Sequence, residues 1–117
     1  MSDVEHVFAG IAVADFHVAL AWYERLFGRA PDVVVRDDEE VMWQLVPGGW
    51  VYVVHNAERA GQGLLTILVR DLQRHVEMLV ERGIAVPEIE TEPGLYRKIA
   101  LEDPLGNMLS IGENLGK

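Results

Sequence analysis

Few side chains in this sequence are suited to chemistry, and their types and spacing limit what that chemistry can be. The imidazoles are His6, His17, His55 and His75, and there is no cysteine. A divalent metal needs several imidazole or carboxylate donors converging on one point. His6, near the start of a strand-like run, has no second donor paired with it. It reads either as a partly exposed histidine or as a ligand brought inward by a register shift. His55 ends another strand-like run and by alternation points away from the face that carries Trp50 and Tyr52, while His17 and His75 fall beside the apolar stripes of two helices, as solvent-facing or rim residues. No His-Glu-x-x-His, Gly-x-Ser-x-Gly, phosphate-loop or dinucleotide pattern occurs, so no residue is assigned a catalytic role. Trp50 and Tyr52 are two apart and share a strand face, where they could stack a flat ligand while the phenol supplies a hydrogen bond. The same pair could instead fill a seam between subunits or halves. With an ordinary pKa of about 10, a tyrosine is a poor general base unless its surroundings shift it. Arg97 and Lys98 are adjacent in a strand, so only one can face inward, where it would bind an anionic group. The run Asp103-Pro104-Leu105-Gly106-Asn107 is explained as a turn: proline fixes φ, glycine permits positive φ, and the flanking Asp and Asn bond locally.

The elements that must hold these residues form an internal repeat. One amphipathic helix runs from Asp15 to Phe27 and stops at Gly28, with Phe16, Leu20, Tyr23 and Phe27 on one face. A second runs from Asp71 to Arg82 and stops at Gly83, with Leu72, Val76, Leu79 and Val80 apolar. Each opens on an aspartate placed to cap free N–H groups and closes on a glycine suited to a left-handed residue. An offset of 56 carries Asp15 onto Asp71, Phe16 onto Leu72, Leu20 onto Val76 and Tyr23 onto Leu79, and in the preceding strands Ile11 onto Ile67 and Val13 onto Val69. Three further β-like runs follow each helix: 33–36, 41–46 and 50–55 in the first half, 84–89, 96–102 and 108–112 in the second. The chain 1–117 is therefore read as one α+β domain of two tandem βαβββ modules, at about 6–56 and 63–113, joined by a linker at 57–62.

Strand alternation separates two faces. Val7, Ala9, Ile11 and Val13, with Leu65, Ile67, Val69, Val51, Val53, Leu109 and Ile111, make an aliphatic face that must lie under the helices. The other face carries Phe8, Trp50, Tyr52, Leu64, Met108 and Ser110, the candidate ligand-binding set. A sheet side with no helix over it must meet something else. That exposure leads to the expectation of a homodimer.

Composition narrows the partners. Half of the 117 residues are hydrophobic and a quarter charged, as in an ordinary globular domain. A net charge of −9 repels phosphate backbones, so no nucleic-acid partner is expected. No apolar stretch is long enough for a membrane span. The opening Met1-Ser2-Asp3-Val4-Glu5-His6 is acidic rather than the basic start of a secretory signal, and with the lack of cysteine this suits a cytoplasmic location.

The duplicated βαβββ pattern, over about residues 6 to 113, resembles the vicinal oxygen chelate superfamily of glyoxalases, extradiol dioxygenases and bleomycin-resistance proteins. Val13-Ala14-Asp15-Phe16 is similar to its strand-to-helix junction, Trp22-Tyr23-Glu24-Arg25-Leu26-Phe27-Gly28 to its Phe-Tyr…Leu-Gly segment, and the 103–107 turn to its Asp-Pro-x-Gly-Asn. The resemblance implies a curved mixed sheet with helices on its convex side. It also implies four metal-ligand positions, which fall here on Phe8, Tyr52, Leu64 and Ser110, where the family pattern has His, Gln or Glu. None of these four offers an imidazole or carboxylate. The implied function is metal-free, cofactor-free binding of a small molecule, a drug or metabolite. A lyase, isomerase or dioxygenase of the superfamily with atypical active-site residues, around His6 or Tyr52, is one alternative. A dimeric interaction module without ligand is another.

Overall fold

The computed structural model describes residues 3–116. Met1, Ser2 and Lys117, which the domain and leader readings include, lie outside the described residues. The elements are β1 (Val7–Val13), α1 (Phe16–Phe27), β2 (Val33–Arg36), β3 (Glu40–Val46), β4 (Gly49–His55), β5 (Leu64–Leu68), α2 (Leu72–Glu81), β6 (Glu90–Glu92), β7 (Tyr96–Glu102) and β8 (Met108–Asn114).

Both helices start and stop for the reasons their sequences suggest. Asp15 is extended, and its carboxylate accepts from the Val18 amide at 3.2 Å. Gly28 takes φ +76° and its N–H reaches the Glu24 carbonyl. Asp71 accepts from the Arg74 amide at 3.1 Å, and a second carboxylate, Glu113 on β8, accepts from Leu72 N–H at 2.8 Å. Gly83, at φ +84°, lets the chain leave α2.

Ladder hydrogen bonds define two four-stranded sheets, ordered β1-β4-β3-β2 and β5-β8-β7-β6. In each, the first strand runs parallel to the last and the other pairs are antiparallel. The curved mixed sheet of the sequence reading is built as two four-stranded sheets, one per module. The duplication is otherwise as expected, with one departure. The second strand of module two is not 84–89 but the three-residue β6 at Glu90–Glu92. Pro87, in the middle of the expected run, has no N–H for a ladder. Ile84 is instead buried, with Val86 and Ile89 packed against the core.

Ile11, Val13, Val41, Trp43, Val51 and Val53 of the first sheet and Ile99, Leu101, Leu109 and Ile111 of the second form one core. It includes Phe16, Ala19, Tyr23 and Leu26 of α1 and Leu72 and Leu79 of α2. Trp43 is fully buried and satisfies its indole N–H on the Arg29 carbonyl at 3.1 Å. Along β1 the aliphatic face is covered only in the second half: Ile11 and Val13 are buried, whereas Val7 is 66% exposed.

Polar side chains join the modules. Tyr23 on α1 donates its hydroxyl proton to Asp103 at 2.7 Å, and Asp103 also accepts from Asn107 Nδ2 and from the Leu105 and Asn107 amides. Asn107 donates to the Ala12 carbonyl at 3.1 Å and accepts from Gly63 N–H at 2.7 Å. Arg82, just past α2, donates to the Leu26 carbonyl at the end of α1, at 3.0 Å. The 103–107 segment is therefore more than a turn; it also bonds to module one.

Candidate functional site

The faces turned away from the helices carry the candidate residues. In sheet one, β1 and β4 are in parallel register, with Phe8 beside Trp50 and Gly10 beside Tyr52. The Phe8 and Trp50 rings stack at 5.7 Å between centroids and 17° between planes. His6 completes the group: its Nδ1 accepts from the Trp50 indole N–H at 2.9 Å. The imidazole is therefore tied to an aromatic platform rather than to a second metal donor.

Tyr52 lies flat across β1. A Cβ built on Gly10 would stand 2.4 Å from the ring carbon that carries the hydroxyl and 2.5 Å from the oxygen, so this ring position requires glycine. Alternation along β1 identifies Gly10 as facing this side, but nothing local in the sequence shows that the tyrosine ring would fill the space.

In sheet two, Leu64 pairs in register with Met108 and Thr66 with Ser110. Leu64 is 85% exposed and Met108 39%. Ser110 lines a cavity of about 360 Å³ with Thr66, Leu68, Tyr96, Arg97, Lys98 and Gly112. Trp50 borders a different groove, about 260 Å³, at the seam between the sheets, with Val7, Val46, Leu65 and Leu68 among its walls. Near it, Gly10, Ala12, Arg59, Gln62 and Gly63 border a third recess. The six candidates thus share the helix-free side, with Phe8 and Trp50 together and Ser110 in a separate depression.

The choice between Arg97 and Lys98 is resolved by register. Lys98 is opposite Gly112 and shares its face, while Arg97 is opposite Glu113 on the other. Lys98 is half-buried, with its ammonium 5.6 Å from the Tyr96 ring centroid. Alternation along β5 and β8 places Thr66 and Gly112 on this face, although neither stands among the six candidates, and Tyr96 follows from its spacing to Lys98.

Two histidines lie elsewhere. His17 approaches Asp38 at 3.4 Å in a fully solvated pair. His75 borders a cleft between the helices, where burial and then the Arg82 cation hold its pKa below the ordinary histidine value. Tyr23, fully buried against Asp103, has its phenol pKa raised well above the usual range by desolvation, then by its hydrogen bond to the carboxylate.

At the metal-ligand positions the resemblance implies, Phe8, Tyr52, Leu64 and Ser110 offer no imidazole or carboxylate to a divalent ion. Among the described residues, no group of three or more His, Cys, Asp or Glu side chains is placed to hold one. No helix among them is long and apolar enough to cross a membrane.

Paired βαβββ modules with an uncovered sheet face define a recognisable class. The model of the Glyoxalase/Bleomycin resistance protein/Dioxygenase superfamily matches residues 4–111, and the chain belongs to that superfamily. It is similar to a glyoxalase / bleomycin resistance protein from Catenulispora acidiphila DSM 44928, with 38% identity and a TM-score of 0.86 over 92% of this chain and 96% of that one. A glyoxalase-related enzyme from Clostridium phytofermentans (16% identity, TM-score 0.76, 97% of each chain) shares the fold. So does a lactoylglutathione lyase from Agrobacterium tumefaciens (18% identity, TM-score 0.75, 92% of this chain and 91% of that one). No curated protein matches.

Proposed function

We propose that this chain is a small-molecule binding protein of its superfamily that works without a metal or other cofactor. The observation that carries the reading is the aromatic platform of Phe8, Trp50 and His6 beside Tyr52, on a face where the family's ligand positions hold apolar or hydroxyl side chains. Flat, partly apolar molecules are the class such a surface takes: stacking supplies area and the phenol one directed hydrogen bond. A homodimer is part of the proposal, because Val7, Val46 and Leu68 are apolar, exposed and border one groove at the seam. A reducing cytoplasm suits a chain without cysteine.

Elemental analysis of the purified protein is expected to find no stoichiometric zinc, nickel, iron or manganese. A panel of flat metabolites and antibiotics is expected to contain compounds that change tryptophan fluorescence. Replacing Tyr52 with Ala should weaken their binding by about 1–3 kcal/mol, through lost ring area and one hydrogen bond. About one metal per chain, lost in His6→Ala, would overturn the reading in favour of a lyase, isomerase or dioxygenase. A panel without any thermal shift or fluorescence change would overturn it in favour of the interaction module.

A further inference from the structure

The repeat that relates the modules also shows where they differ. By strand register, Gly10 beside Tyr52 in module one corresponds to Thr66 beside Ser110 in module two, and Ala12 beside Val54 corresponds to Leu68 beside Gly112. On the neighbouring strands, Glu40 opposite Val54 corresponds to Lys98 opposite Gly112. Equivalent places thus carry a filled, acidic corner in one module and an open, basic one in the other. In module one the Tyr52 ring occupies the space over Gly10, and Glu40 is engaged by Arg36 at 3.4 Å. In module two Ser110 is too short to fill the equivalent space, and the cavity of about 360 Å³ remains.

The floor of that cavity depends on Gly112. A Cβ there would stand 3.1 Å from the Arg97 carbonyl oxygen, 3.5 Å from a Leu68 methyl and 3.7 Å from the Lys98 Cβ, so any side chain would take up the space. Lys98 belongs to none of the ion pairs found among the described residues. Its cross-strand neighbour Glu90, and Glu92 opposite Tyr96, share its face but stand on the exposed edge strand β6, outside the cavity lining. The lining is therefore one ammonium, two aliphatic hydroxyls (Thr66 and Ser110), an aromatic ring, an aliphatic side chain and Arg97, whose carbonyl lies beside Gly112 and whose side chain belongs to the other face.

We propose that this cavity is the anion-recognising part of the binding face. It takes the carboxylate or phosphonate of a flat organic anion at Lys98, Ser110 and Thr66, with the apolar body against Leu68 and Tyr96. A charge-assisted contact in a partly desolvated recess selects for the anion more strongly than an exposed one would. The inference rests on the reading of the helix-free face as a ligand site and adds the chemical class that it selects.

The test is a titration of isotopically labelled protein with benzoate, phenylphosphonate and neutral benzamide, followed by amide NMR. The two anions are expected to shift the signals of Lys98, Ser110 and Gly112, and benzamide to bind at least about tenfold more weakly, a difference of about 1.4 kcal/mol. Lys98→Gln should abolish that preference and Lys98→Arg should keep it, both with a thermal midpoint like the wild type's. Equal binding of benzoate and benzamide, unchanged in Lys98→Gln, would overturn the anion assignment while leaving the ligand face standing. Shifts centred on Gly10, Ala12 and Arg59 instead would overturn it too. If none of the three probes perturbs the helix-free face, the assignment fails. The broader ligand reading fails with it only if the fluorescence panel is also silent.

Discussion

Tyr23 and Asp103 show how much a single pair can hold. The phenol is fully buried and its proton sits on a carboxylate that already accepts from two backbone amides and the Asn107 side chain. Removing one partner of a buried hydrogen bond costs more than the bond itself contributes, because the remaining group stays desolvated. Tyr23→Phe is therefore expected to lower stability by about 1–3 kcal/mol in chemical denaturation while leaving the backbone in place. The same pair imposes a pH dependence. Burial and the carboxylate raise the phenol's folded pKa above its unfolded value of about 10. The stability it contributes is thus fully present below about pH 10 and is lost as pH rises beyond, since the unfolded chain releases the proton first. Wild type should lose stability more steeply than Tyr23→Phe above that pH; parallel curves would show that Tyr23 does not carry the dependence.

The two helices of the repeat are capped by the same residue type but are not equivalent. On α1 the Asp15 carboxylate accepts from Val18 N–H, whereas α2 has Asp71 on Arg74 N–H and Glu113 from β8 on Leu72 N–H. Asp71→Ala should cost about 1 kcal/mol, the usual value of an N-cap, measured as a shift in denaturation midpoint. Adding Glu113→Gln should cost more than Asp71→Ala does by itself, since it weakens the second acceptor at the same helix end. The short β6 follows a comparable logic: a proline at 87 withholds an amide, so pairing with β7 starts only at Glu90, opposite Lys98. That displacement leaves Lys98 beside a three-residue edge strand instead of a long one.

At the level of the assembled chain, four side chains, Tyr23, Asn107, Asp103 and Arg82, tie the modules together within one molecule. The apolar groove at the seam remains open, bordered by Val7, Val46 and Leu68, with exposures of 66%, 60% and 67%. Burying these side chains against a second copy would remove apolar surface from water at two-fold related places. Sedimentation is expected to give a homodimer at micromolar concentration, and Leu68→Asp to shift it toward monomer. A monomer in the wild type would count against the second copy.

Hydrophobic periodicity, helix caps and the 56-residue offset are local or repeat along the chain, so they made the two helices, seven of the eight strands and the pairing of faces legible from residue types. The same alternation placed Phe8, Trp50, Tyr52, Leu64, Met108 and Ser110 on the helix-free side. Other features depend on atoms distant in sequence. The Tyr52 ring settled over Gly10 because two strands set their register, and Lys98 rather than Arg97 faces the cavity because β7 pairs with β8 through Gly112. The 103–107 segment looked like a self-sufficient turn because turn chemistry is local; its bond to a tyrosine 80 residues earlier exists only once α1 is packed against module two.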